Sequence, residues 1–226
     1  MRIKDKGNPL YWPNIPKESL TELSKGNFAN ARVFRYSRDG IQLTIKNFEH
    51  CPWWIRLFIS RAIIKIEYHC LNRLKGLAGL TSQVMLLDKY TVAFSYIAGV
   101  PLKTIYKKGK RLPKEFFLEM ERRVCAIHSK GQVHLDLRNL GNIIHGEDET
   151  PYLIDFQSSL RTTYIPKKLC AILEEFDLSG IYKCWELLCE EPLDTQREAL
   201  LRRLNKLRRY WIFKKNSLRK KIKENS

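Results

Sequence analysis

The sequence predicts an α+β fold in two lobes: a small antiparallel β-sheet carrying one helix, then a mainly helical lobe. Two observations carry this expectation. Short segments that alternate apolar and polar residues cluster before residue 97, and longer segments with apolar residues at helical spacing dominate after it. The stretch from Ile97 to Leu102 separates the two regimes and marks the expected lobe boundary. The expected organisation is an irregular N-terminal arm over 1–27, a sheet-and-helix lobe over 28–97, a helical lobe over 98–213 and a basic tail over 214–226.

Each element has its own signal. The arm holds Pro9, Pro13, Pro16 and two Gly-Asn pairs, which oppose regular pairing. Ala31 to Tyr36 and Ile41 to Lys46 alternate, and the break Ser37-Arg38-Asp39-Gly40 between them predicts a β-hairpin. From Trp53 to Leu77 the residues Ile59, Ile63, Ile66, Cys70 and Leu74 recur at helical intervals, with Gly76 and Gly79 as the stop. Gln83 to Leu87 and Tyr90 to Tyr96 read as a second antiparallel pair, turned at Asp88-Lys89. A helix over 113–130 is opened by Pro113 and closed by Gly131. Strands from Asn142 to His145 and from Tyr152 to Asp155 flank the turn 146–149, and helices are expected over 166–191 and 194–213.

Composition removes several classes. An apolar fraction of 44% in 226 residues supports a real core and opposes wholesale disorder. The six cysteines are scattered, with no C-x-x-C pair, so neither a structural zinc site nor a disulfide framework is expected. A reducing, cytoplasmic setting fits them, with peripheral contact at the inner face of a membrane as an extension. The first residues lead into no apolar core of a secretory signal. The most apolar window, Trp53 to Ile66, is interrupted by Arg56, Arg61 and Lys65 and falls short of the roughly 18–20 clean residues of a spanning helix.

The chemistry is concentrated in His134-Leu135-Asp136-Leu137-Arg138, then Asn142, then Leu153-Ile154-Asp155-Phe156-Gln157. Two separate carboxylates suit a task in which one orients a nucleophile and the other holds a cation, because a metal-neutralised carboxylate is a poor proton acceptor. The order of strand pair, lysine, helix, strand pair, boundary, helix, loop and aspartate resembles the protein-kinase-like superfamily over roughly residues 28–190. It is most similar to the small bacterial and atypical branch of lipopolysaccharide-core sugar kinases, RIO-type kinases and aminoglycoside phosphotransferases. The resemblance implies a protein-kinase-like two-lobed fold and transfer of the γ-phosphate of ATP, with Mg²⁺, to a hydroxyl. It implies that Asp136 orients or deprotonates the hydroxyl, while Asn142 and Asp155 bind the metal. His134 is expected to brace the loop rather than carry a proton.

The departures from that pattern are specific. Asn142 lies six residues after Asp136, where the family places its asparagine five after the aspartate; Gly141 is expected to absorb the extra residue. Asn139 competes as ligand, but Asn142 directly precedes the apolar pair Ile143-Ile144 as the family asparagine does. Gln157 replaces the glycine of D-F-G. Lys46 ends an alternating strand, where the resemblance puts the lysine that contacts the nucleotide phosphates; Glu67 is the expected carboxylate partner, with Glu49 the weaker alternative. No G-x-G-x-x-G precedes it, so backbone amides at Asn30-Ala31 and the cations Arg32 or Arg35 are the candidate phosphate contacts.

The formal charge of +17 predicts anionic partners. Residues 196–226 hold 12 Lys/Arg and 2 Asp/Glu, and place Leu200, Leu204, Leu207 and Trp211 at helical spacing opposite Arg202, Arg203, Lys206 and Arg209. That helix is expected to dock on the helical lobe, leaving the basic tail for an anionic membrane surface. No aromatic strand motif or recognition helix points to specific nucleic-acid binding. No A-P-E ending follows Asp155, which shifts the expected acceptor from a peptide toward a sugar or glycolipid hydroxyl, or a Ser/Thr held in RIO-like fashion. The competing expectation is a catalytically silent kinase-fold module that docks on membrane or nucleic acid through its basic C-terminus.

Overall fold

The computed structural model describes residues 10–26 and 30–208. The chain is α+β, built on a five-stranded antiparallel sheet with several helices, an arrangement compatible with two lobes. Strands β1 (Leu20–Ser24), β2 (Arg32–Arg38), β3 (Ile41–Asn47), β4 (Val84–Leu86) and β5 (Thr91–Ser95) lie in the order β1-β2-β3-β5-β4. The β2–β3 turn places Asp39 and Gly40 at φ 53° and 75°, the positive-φ pair that matches a two-residue hairpin to the strand twist.

Alternation along β3 sorts its side chains. Leu43 and Ile45 enter a small core with Ile15, Tyr36, Leu87 and Ala93, whereas Thr44 and Lys46 point to the opposite face. Ile15 belongs to a segment expected to be irregular. Two 3₁₀ turns, Trp12–Asn14 and Lys17–Ser19, lay it and Trp12 against the sheet, and β1 then pairs with β2. The correction has a plain cause: the sheet face and the β2 edge both need cover, and the nearest apolar residues supply it. Residues 1–9, the rest of the arm, lie outside the described residues.

The other sheet face rests on helix α1 (Arg61–Arg73), which buries Ile64, Glu67, Cys70 and Leu71. A π-helical segment, Ile55–Ser60, leads into it. Beyond β5, strand β6 (Gly99–Pro101) and helix α2 (Leu102–Lys107) follow; α2 is too short for periodicity to reveal. Helix α3 (Lys114–Ser129) buries Phe116, Phe117, Met120, Val124 and Ile127, each contributing about 1.5–3 kcal/mol of apolar burial. Strand β7 (Gln132–Val133) opens the loop to β8 (Ile143–Gly146) and β9 (Pro151–Leu153), where β6, β8 and β9 form a second sheet. Strand β10 (Leu160–Arg161) pairs with β7, and helix α4 (Lys167–Leu188) crosses behind the loop.

A last helix, α5, starts at residue 195, with the Asp194 carboxylate accepting from the Gln196 and Arg197 amides, and continues through residue 208. Its docking face is Leu201 and Leu204, with Leu200 packed beside them, while Leu207 is half exposed. The expected stripe is therefore rotated by about one residue. Arg209, Trp211 and the basic tail 214–226 lie outside the described residues. Among the described residues no helix is long and apolar enough to cross a membrane.

Candidate functional site

Five side chains singled out from the sequence converge on one cleft. Lys46 Nζ donates to Glu67 Oε1 at 2.8 Å, Glu67 Oε2 at 3.1 Å and Asp155 Oδ1 at 2.8 Å. Glu67 is almost fully buried on α1 and also accepts from the Phe156 amide at 3.1 Å, so one carboxylate ties the helix to both the sheet and the segment after β9. Two carboxylates around one ammonium leave a net charge of −1 in a buried setting. Burial works against the charged form of Lys46, but Glu67 and Asp155 outweigh it and hold the ammonium above its ordinary pKa. Burial, with the Asp155 carboxylate adding to it, pushes Glu67 up in turn.

The loop between β7 and β8 carries the second group. Asn142 Nδ2 donates to Asp136 Oδ2 at 2.8 Å and to the Asp136 carbonyl at 3.1 Å, which fixes the carboxylate. The six-residue step from Asp136 to Asn142 ends in a 3₁₀ turn, Leu140–Asn142, capped by Asn139, whose Oδ1 accepts from the Gly141 amide at 3.0 Å. Gly141 sits inside this turn, as expected, without needing a positive φ. Asn139 also donates to Asn142 Oδ1 at 3.1 Å, so the two candidate asparagines act on each other. His134 is buried and its Nε2–H donates to the Ile154 carbonyl at 3.0 Å, while Nδ1 accepts from the Asp136 amide at 3.3 Å. That pattern needs the neutral ring, and burial holds its pKa below the ordinary value.

Sequence reasoning misses the residue that organises this loop. Asp177, buried in the middle of α4, accepts from the His134 and Leu135 amides at 2.7 Å each and meets His128 Nε2 at 3.1 Å. Its grip coincides with Leu135 in the left-handed region, φ 66°. In the sequence Asp177 follows Glu174 and Glu175 closely, and nothing local sets it apart from them. Asp155 is left-handed too, at φ 68°, which turns its carboxylate back toward Lys46.

The cleft lies between the sheet and the β6–β9 region, with a volume of about 430 Å³. Val33, Phe94, Ile144 and Leu153 give it apolar walls, and Lys46, Asn142 and Asp155 stand at its polar end. An adjoining outer cleft of about 400 Å³ brings Asp136, Asn139, Asp155 and Gln157 together with Lys25 and Asn30. Lys25 is a further contributor that the sequence does not mark. Arg32 is engaged by Glu22 at 2.8 Å, and Arg35 by Gln42 at 2.9 Å and the face of Tyr96, so the two expected phosphate cations are committed elsewhere. Residues 27–29, just before the expected contacts at Asn30-Ala31, lie outside the described residues.

Such an arrangement can hold a polyanion by its ammonium and a divalent cation by its oxygens. Among the described residues no cluster of three or more His, Cys, Asp or Glu is set to hold a metal. Asp155 and Asn142 still suit Mg²⁺ in one way, because that ion commonly takes one or two protein oxygens and completes its shell with phosphate and water. No protein-family model and no curated protein matches this chain.

Proposed function

We propose that the chain is an ATP- and Mg²⁺-dependent phosphotransferase of protein-kinase-like fold, acting on a hydroxyl. The observation that carries this reading is the pairing of two groups across one cleft: Lys46 held by Glu67 and Asp155, and Asp136 held by Asn142. Adenine suits the apolar walls of the inner cleft, and the phosphates lie at its polar end beside Lys46. The acceptor enters the outer cleft, where Asp136 orients its hydroxyl and accepts the proton as the oxygen attacks. The new O–P bond forms at the γ-phosphorus, the bridging P–O bond breaks, and ADP leaves. Asp155 and Asn142 would hold Mg²⁺, which neutralises phosphate charge; the chain's own contribution is positioning and electrostatics.

The acceptor class follows from what is short. Only ten residues, 157–166, separate Phe156 from α4, and they hold one 3₁₀ turn and the two-residue β10. This leaves little platform for an extended peptide and favours a sugar or glycolipid hydroxyl, with a RIO-like Ser/Thr acceptor behind it. The second reading, a silent binding module, draws on the commitment of Arg32 and Arg35 away from the cleft. Incubation with γ-labelled ATP and Mg²⁺ separates the two. Asp136→Asn and Asp155→Ala are expected to reduce transfer by about 10²–10⁴-fold each. Nucleotide binding without any transfer would favour the silent module, and transfer that survives Asp136→Asn would remove that residue from its role.

A further inference from the structure

The π-helical segment that introduces α1 exposes residues that a soluble surface seldom collects. Trp53 is 68% and Phe58 69% exposed, and Leu57, Ile59 and Ile66 are exposed as well. The cause is geometric. Bonding of the i→i+5 kind places four residues between the buried Ile55 and Ser60, so Leu57, Phe58 and Ile59 face outward in succession. Downstream, Phe58, Ala62 and Ile66 form one exposed row at i, i+4, i+8, and the exposed cations Arg61 and Lys65 run beside it. From His50 to Ile66 the sequence holds three cations and no carboxylate.

Charge narrows what can cover this face. A second copy of the chain brings another +17, and residues 209–226 hold seven Lys/Arg against one acid, so both are repelled by Arg61 and Lys65. Nucleic acid offers phosphates but no apolar phase for Phe58 and Ile59. An anionic bilayer offers both, and tryptophan with flanking Lys/Arg is the usual composition at its headgroup boundary. We propose that residues 53–66 are a membrane-docking element that places Trp53, Leu57, Phe58 and Ile59 in the interface of an anionic bilayer, with Arg61 and Lys65 on lipid phosphates. This holds independently of the phosphotransfer reading.

The test uses the full chain and vesicles of phosphatidylcholine with or without phosphatidylglycerol. The double variant Trp53→Ser/Phe58→Ser is expected to lower partitioning onto anionic vesicles by about tenfold or more, with unchanged melting by circular dichroism. Equal partitioning of variant and parent overturns the proposal, as does a parent that self-associates through this face without lipid. Should the variant fail to fold, Trp211→Phe in the otherwise native chain leaves Trp53 and Trp54 as the exposed indoles. Quenching of their fluorescence by brominated acyl chains is then the expected result, and no quenching overturns the proposal.

Discussion

Asp177 illustrates how much one buried carboxylate can decide. Its two oxygens receive two main-chain amides of the loop that carries Asp136, and both bonds are short at 2.7 Å. Asp177→Asn replaces one acceptor with a donor and leaves a buried N–H unmatched. A loss of about 2–4 kcal/mol in urea unfolding is expected and, on the proposed phosphotransfer reading, impaired transfer through displacement of the Asp136 loop. His134 yields a pH prediction. Its folded pKa lies below the unfolded value near 6.5, so on acidification the unfolded chain binds a proton that the native chain refuses. Stability is therefore expected to fall as pH drops below about 6.5, and His134→Gln should flatten that slope in denaturant titrations at pH 7 and pH 5. The thiols behave in keeping with their burial: Cys70 is pushed up to about 11 and Cys184 to about 12, which leaves both inert toward mild alkylation.

At the scale of elements, α4 serves as a template for the loop rather than as a simple covering helix. Besides Asp177, Lys183 Nζ donates to the Arg138 carbonyl at 3.1 Å, and Arg138 reaches across to Asn205 of α5 at 3.0 Å. Gly180 makes the approach feasible: a Cβ there would come within 2.8 Å of the Leu137 carbonyl carbon, which belongs to main chain and cannot rotate away. Gly180→Ala is accordingly expected to cost about 1–3 kcal/mol by overpacking, read as a lower denaturant midpoint, and to reduce transfer by displacing Asp136. Elements with strong local signals were legible in the sequence. The Asp39-Gly40 hairpin, α3 between Pro113 and Gly131, and α1 ahead of Gly76 all follow from period and punctuation. Strand β1, helix α2 and the π-helical start of α1 were not. The first draws its order from pairing with β2, the second is six residues long, and the third departs from the 3.6-residue period that periodicity detects.

For the whole molecule, charge and fold have separate consequences. The net +17 predicts attraction to anionic surfaces that weakens with salt, since exposed charges are screened beyond about 8 Å at physiological ionic strength. Deleting residues 214–226 is expected to reduce binding to phosphatidylglycerol vesicles most at low salt, with little difference at high salt, as measured by sedimentation. Residual binding at high salt should then track Trp53 and Phe58, because apolar insertion is not screened. Two modes of attachment are thus separable by ionic strength alone.

By itself the sequence determined which chemical groups are available and the local geometry around them: two aspartates in order, a strand-end lysine, a hairpin turn, and the caps of the long helices. Those features depend on neighbours within a few residues, where steric and hydrogen-bonding rules act directly. The tertiary structure alone decided which groups meet. Lys46 and Asp155 are 109 positions apart, and Asp177 reaches the loop from 42 and 43 positions away. Such contacts depend on how α1 and α4 pack against the sheet and the loop, and packing sums many weak apolar contacts spread along the chain, with no short motif to announce them.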